Sequence, residues 1–247
     1  YRWNISAKGE VKNEAEPTTN FAQLMEMVAL VSPLLRVRFS TSHPKDMTND
    51  VLEMMAKYEN ICSYIHLPVQ SGHTDVLYRM NRGYSREWYL ERIAAIKSII
   101  PGCAISTDII TGFCGETAQE HEATLSLMDI VQYDFAYMFK YSERPKTLAE
   151  RRYKDDVPEE VKGRRLNEII EKQLAHSLAS NQRMVGTIQK VLIEGNSKRS
   201  EEHLCGRTGS NAMVVFPKEN QEKGNYVQVR ITDCTSATLL GEIVATV

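Results

Sequence analysis

Ser106 and Asp108 stand inside an apolar run, AISTDIITGFCGET at 104–117, that otherwise reads as a buried strand leading into a helix. A strand covered on both faces is nearly continuous Val, Ile and Leu. Side chains alternate with period two, so Ile105, Thr107 and Ile109 share one face while Ser106, Asp108 and Ile110 share the other. The alternation recurs in VRFSTSHP, where Val37, Phe39 and Thr41 oppose Arg38, Ser40 and Ser42. It recurs again in YIHLPVQSG, where Ile65, Leu67 and Val69 oppose His66, Pro68 and Gln70. For one such residue, a satisfied hydrogen-bond network inside a barrel is the ordinary account. For three consecutive strands, the repeated polar face points to a polar ligand cavity at the C-terminal strand ends.

The strand ends carry the same message. VQSG and TGFCGET place glycine and small polar residues where strand becomes loop, which leaves backbone N–H groups at a helix entrance. Such groups bind anions and carboxylates. Gly112 and Gly115 allow a ligand to approach the backbone closely. Glu116 can accept hydrogen bonds from an amine or a ribose, or simply favour the helix dipole as an acidic residue in an ordinary turn.

The elements that must position these groups follow from periodicity. Four βα units are expected, with strands at RVRFSTSHP, SYIHLPVQSG, AISTDIITGF and DFAYMFKYS. The helix NFAQLMEMVALV precedes the first, and TNDVLEMMAKY, SREWYLERIAAIKSII and TAQEHEATLSLMDIV lie between them, the last opened by a Thr117/Glu120 capping box. This alternation implies parallel strands and right-handed crossovers, too few to close a barrel. After a polar loop comes one long helix, with Pro158 near its start and Leu166, Ile169, Ile170, Leu174 and Leu178 as its expected buried stripe. From about Asn181 the pattern changes to short strands and turns. The fold class is therefore α/β, a partial (β/α) barrel over 1–180 followed by a small all-β barrel over 181–247.

Formal net charge is −2, so a nucleic-acid partner would be met by a local patch rather than by overall charge. There is no apolar run of bilayer length and no signal-peptide layout, and a soluble cytoplasmic protein is the expectation. Five cysteines, Cys62, Cys103, Cys114, Cys205 and Cys234, are widely spread without a C-x-x-C pair and read as reduced thiols. The chain opens on Tyr1, and we expect it to be the C-terminal part of a longer protein.

HLPVQSG (66–72), MNRGYSREWYLERI (80–93), ISTDIITGFCGET (105–117) and FKYSERPKT (139–147), in this order, resemble the radical S-adenosylmethionine tRNA methylthiotransferases. The C-terminal segment, including GRTGSNAMVVF, resembles the TRAM domain that ends those enzymes. Cys114 stands where the family commonly has proline, and Lys146 where it has glycine. The resemblance implies addition of a methylthio group to carbon 2 of N6-dimethylallyladenosine at tRNA position 37. It also implies S-adenosylmethionine and two [4Fe–4S] clusters as cofactors. The C-x-x-x-C-x-x-C motif that ligates the radical-generating cluster is absent here, so both clusters are expected to be held upstream of Tyr1, with no metal ligand in this chain. His43 and His66 are expected to be hydrogen-bonding groups.

The positions matching the family's cofactor-facing strand ends are Gln70, Ser71, Ser106, Asp108, Gly112, Gly115 and Glu116, joined by Arg38, Ser40 and Tyr141. In the last module Lys198, Arg199 and Arg207 are the expected contacts to tRNA phosphates in the anticodon stem-loop. Two other readings stay open at this point. One is a conventional (β/α) barrel enzyme using Asp108 with Lys140 or Arg38, and the other an RNA-binding protein whose barrel is only a scaffold.

Overall fold

Among the described residues, strand pairing gives a two-stranded sheet, a three-stranded parallel sheet and a closed five-stranded barrel, the last reached through one long helix. The structure, a computed structural model, describes residues 2–3, 19–40, 43–198 and 200–246. Arg2–Trp3 (β1) pairs antiparallel with Thr19–Asn20 (β2), and β2 runs straight into helix Phe21–Ala29 (α1). Asn20 caps α1: its side chain accepts from Gln23 N at 2.8 Å while Gln23 returns the bond to Asn20 N at 2.9 Å. These bonds satisfy two donors that a helix start leaves open.

Tyr64–His66 (β3), Ala104–Thr111 (β4) and Phe135–Lys140 (β5) form a parallel sheet in the order β3-β4-β5. Helices Asn49–Lys57 (α2), Thr74–Arg79 (α3), Arg86–Ile99 (α4) and Ala118–Val131 (α5) lie between the successive strand segments. One sheet face is dry: Ile65, Leu67, Val69, Ile105 and Ile109 are buried in a core shared with Leu52, Tyr89, Ile96, Leu127 and Met128. The capping box at Thr117 forms, with Glu120 N reaching Thr117 Oγ1 at 3.2 Å and Thr117 N reaching Glu120 Oε2 at 2.8 Å.

Among the described residues the expected first strand shows a single parallel bridge, Val37↔Ile61, its positions 41–42 lying outside them, and the second is interrupted after His66. Pro68 has no N–H to give the ladder. The chain re-pairs only at Gln70, whose N donates to Asp108 O at 2.9 Å and whose O accepts from Ile110 N at 2.9 Å. Gln70 takes φ +74° there, an uncommon conformation for a residue with a side chain.

A short helix, Leu148–Arg152 (α6), leads to the long helix Glu159–Gln182 (α7), and Pro158 is its N-cap. The expected apolar stripe on α7 is a correction. Leu174 and Leu178 are exposed, while Lys162, Arg165, Ile169, Gln173, Ser177 and Ser180 are buried. Long-range partners decide this: Gln173 Nε2 donates to Tyr133 O at 2.8 Å and Ser177 Oγ to Asp134 O at 2.8 Å, so the polar face closes the loop before β5.

Ile188–Ser197 (β6), Ser200–Arg207 (β7), Met213–Pro217 (β8), Tyr226–Cys234 (β9) and Leu239–Thr246 (β10) form a closed barrel in the order β10-β8-β7-β6-β9. It encloses its own core of Val191, Ile193, Leu204, Val214, Phe216, Val227, Val229, Ile231 and Leu239. The expected single strand LCGRTGSNAMVVF is split by a turn at 208–212. Gly206 is required at the β6–β7 crossing, because a Cβ there would lie 2.2 Å from Leu192 O.

Candidate functional site

The register of the parallel sheet puts Tyr64, His66, Ser106, Asp108, Phe135 and Tyr137 on its second face, opposite the core. This face mixes polar groups with a row of half-exposed rings, Phe135, Tyr137 and Phe139. Ser106 is fully buried, and its hydroxyl meets Tyr64 Oη at 2.6 Å and His66 Nδ1 at 2.8 Å. His66 Nε2 lies 3.4 Å from Asp108 Oδ1, and its ring meets Tyr137 edge-on at 5.9 Å. Ser106 therefore orients the imidazole, while the partly open Asp108 carboxylate remains able to meet a ligand.

Beyond this row, at the C-terminal ends of the strands, lies an open groove of about 420 Å³. Its lining includes Gln70, Ile110, Phe113 and Tyr141 together with Arg79, Asn81 and Arg82. Phe113 and Tyr141 pack edge-to-face at 4.9 Å. Tyr141 Oη is buried against the Cys114 thiol without a proper hydrogen-bond acceptor, and this burial pushes its phenol pKa up. The groove thus combines apolar rings, a backbone bent at Gln70 and two buried polar atoms without a partner, Tyr141 Oη and Arg79 Nε. Arg79, Asn81 and Arg82 escaped the sequence reading; MNRGYS was there to be seen, but with no periodicity to say where it points.

Several expected site residues lie elsewhere, each for a visible reason. Ser71 is fully buried under α5, where its Oγ sits 3.4 Å from Thr124 Oγ1. The N–H groups expected to be free at the loop are taken: Gly112 N by Glu116 Oε2 at 2.6 Å, Gly115 N by Asp156 Oδ1 at 2.7 Å. Glu116 has a side chain only 1% exposed, and Arg165 Nη1 lies 2.9 Å from its Oε2, so it holds the loop rather than a ribose. Ser40 is exposed beyond the last strand pairing. Arg38 points to the small barrel instead, with Nη1 on Asn211 Oδ1 and Nη2 donating to Thr208 O at 2.6 Å.

The conventional acid–base reading loses its partners in the same way, since Lys140 pairs with Glu159 at 2.7 Å. In the small barrel, Lys198 is exposed in the turn between β6 and β7, and Arg199 lies outside the described residues. Arg207 is not a free loop cation: its Nη1 donates to Asn211 O at 2.9 Å and its Nε lies 3.4 Å from Glu194. The sulfurs do not converge either. Cys62, Cys103 and Cys114 are buried, the Cys103 thiol being pushed up to about 12 by burial and by Asp134. Among the described residues the one grouping able to hold a metal is His73, Asp75 and Glu120, which contains no cysteine. An iron–sulfur cluster does not fit that donor set.

Comparison with known proteins follows the same division. Residues 14–128 match the Radical SAM superfamily and residues 182–244 the TRAM domain. The tRNA-2-methylthio-N(6)-dimethylallyladenosine synthase of Amoebophilus asiaticus is 54% identical over 246 residues, covering 98% of this chain and 51% of that protein. The protein of the same name from Bacteroides thetaiotaomicron is 54% identical over 97% of this chain and 52% of its own length. The chain thus spans about half the length of the curated relatives it matches. Among solved structures, coproporphyrinogen III oxidase from Escherichia coli, described as a radical SAM enzyme, superposes with a TM-score of 0.50 at 15% identity over 86% of this chain and 51% of that one. At that identity the likeness is one of fold.

Proposed function

We propose that this chain, 54% identical over 98% of its length to a tRNA-2-methylthio-N(6)-dimethylallyladenosine synthase and matching the Radical SAM superfamily and the TRAM domain, is the cofactor-holding and RNA-docking half of a tRNA methylthiotransferase. The observation that carries the reading is the joining of two sites in one chain. A groove lined by Gln70, Phe113 and Tyr141 opens at the strand ends, and a separate five-stranded barrel is anchored on the same scaffold by Arg38.

In this reading Gln70, Asp108 and Tyr141 bind S-adenosylmethionine, with Ser106 orienting His66 beside it. When bound, the cofactor supplies the hydrogen-abstracting equivalent and the methyl group. The protein's part is to orient it, to keep water out and to bring carbon 2 of the dimethylallyladenosine at position 37 within reach. The half-exposed rings Phe135, Tyr137 and Phe139 suit a flat base with an apolar substituent. Two [4Fe–4S] clusters, with ligands outside these residues, complete the enzyme. Lys198 and Arg199 meet the phosphates of the anticodon stem-loop, a cytoplasmic substrate. No helix among the described residues is long and apolar enough to cross a membrane.

The test is nucleoside mass spectrometry on tRNA carrying N6-dimethylallyladenosine, after incubation with the longer cluster-loaded enzyme and S-adenosylmethionine. The methylthio nucleoside is expected. Tight tRNA binding with the nucleoside left unchanged under reducing conditions would instead favour an RNA-binding scaffold.

A further inference from the structure

Helix α7 carries two buried cations on one face, Lys162 and Arg165, 2% and 5% exposed. Burying a cation is unfavourable unless it is paired and hydrogen-bonded, and both pairings converge on the strand-end groove from behind. Lys162 Nζ lies 2.7 Å from both Asp155 oxygens and 5.6 Å from the centre of the Tyr141 ring. Its stem fills the space beside Gly112, where φ is +73° and a Cβ would lie 2.4 Å from Lys162 Cγ. Burial works against the ammonium, but Asp155 and Glu159 more than offset it and hold its pKa above the ordinary value. Arg165 Nη1 reaches both Glu116 O and Glu116 Oε2 at 2.9 Å, and that same Oε2 accepts from Gly112 N.

The loop from Gly112 to Glu116 is thus closed on itself by Glu116 and fixed from below by α7, with Phe113 and Tyr141 facing the groove. We infer that Lys162 and Arg165 are positioning residues, which hold the Gly112–Glu116 loop and the Phe113–Tyr141 wall in the shape that receives S-adenosylmethionine. The inference rests on the cofactor reading given above. Neither side chain lines the groove; Arg165 acts through the loop, and Lys162 through Gly112 and the Tyr141 ring.

Hydrogen exchange on the 247-residue chain tests the positioning without any cofactor, and calorimetry on the longer cluster-loaded enzyme tests its purpose. In Arg165→Met and Lys162→Met, amides 112–117 are expected to exchange about tenfold faster or more while those of β4 and β5 keep their protection. S-adenosylmethionine affinity should fall by roughly tenfold, the scale of one lost charge-assisted hydrogen bond. Glu116→Gln, a milder change that keeps the side-chain shape, should move both readouts the same way by less. Exchange unchanged at 112–117, or raised across the whole sheet, would show that the two cations merely stabilise the fold. Local exchange raised with cofactor affinity intact would equally overturn the inference, while leaving the family reading standing. If the unsubstituted enzyme bound no S-adenosylmethionine, the cofactor reading itself would fall, and this inference with it.

Discussion

Tyr141 carries a buried polar atom at the groove that no protein group satisfies. Its hydroxyl is buried with only a thiol beside it, and an unsatisfied buried hydroxyl costs about 1–3 kcal/mol. Tyr141→Phe should therefore leave thermal stability unchanged or slightly raised while weakening S-adenosylmethionine binding in the cluster-loaded enzyme, as read by differential scanning and titration calorimetry. A fall in stability with affinity intact would make Tyr141 a packing residue. Glu120 shows the opposite situation, a carboxylate already satisfied by a two-pronged bond to Arg79 at 2.9 Å and 2.9 Å. Burial works to raise its pKa, but Arg79 and Thr117 N outweigh it and hold the group below its ordinary value. A folded pKa below the unfolded one gives stability that is present above the ordinary carboxylate range and lost as pH falls through the folded value. The melting temperature of Glu120→Gln should thus lie below that of the native chain at pH 7, and the gap should close below pH about 4.

The small barrel behaves as an element with its own core, and Phe216 is fully buried at its centre. Phe216→Ala should cost about 3–5 kcal/mol of barrel stability, seen as loss of the barrel's near-ultraviolet and hydrogen-exchange protection at lower denaturant than in the unsubstituted chain. At this scale the sequence was legible wherever structure is local. The period-two alternation correctly separated Ile105 and Ile109 from Ser106 and Asp108, and the Thr117/Glu120 box opened α5. It was not legible wherever distant partners decide. The face of α7 was misread because Arg165, Gln173 and Ser177 are buried by Glu116, Tyr133 and Asp134, which lie 40 or more residues away. Arg38 was read as facing the cavity because nothing near it in sequence reveals Asn211, 173 residues on. Pro68 was read as one residue of a continuous strand, yet the ladder is interrupted there, because proline has no N–H to give.

In the whole molecule, Arg36 and Arg38 tie the two parts together. Arg36 reaches Arg207 O and its guanidinium lies 5.1 Å from the centre of the Tyr226 ring, while Tyr226 Oη donates to Leu34 O at 3.1 Å. Replacing both arginines with Ala should free the barrel, splitting one calorimetric transition into two and lowering methylthiolation at limiting tRNA more than at saturation. The RNA side of the account is read in salt. Lys198→Ala with Arg199→Ala should reduce the slope of log affinity against log salt by roughly two, one phosphate for each cation; an unchanged slope would remove that turn from the interface.

The central claim is that the polar face and groove of this chain hold S-adenosylmethionine for a reaction whose metal ligands lie elsewhere. It is tested most directly by Asp108→Ala in the cluster-loaded enzyme, with iron content and methylthio nucleoside measured on the same sample. The account predicts iron equal to that of the unsubstituted enzyme and product reduced by about tenfold or more, the equivalent of ~1.4 kcal/mol or more in transition-state stabilisation. Undiminished product, or a loss of product matched by a loss of iron, would contradict it.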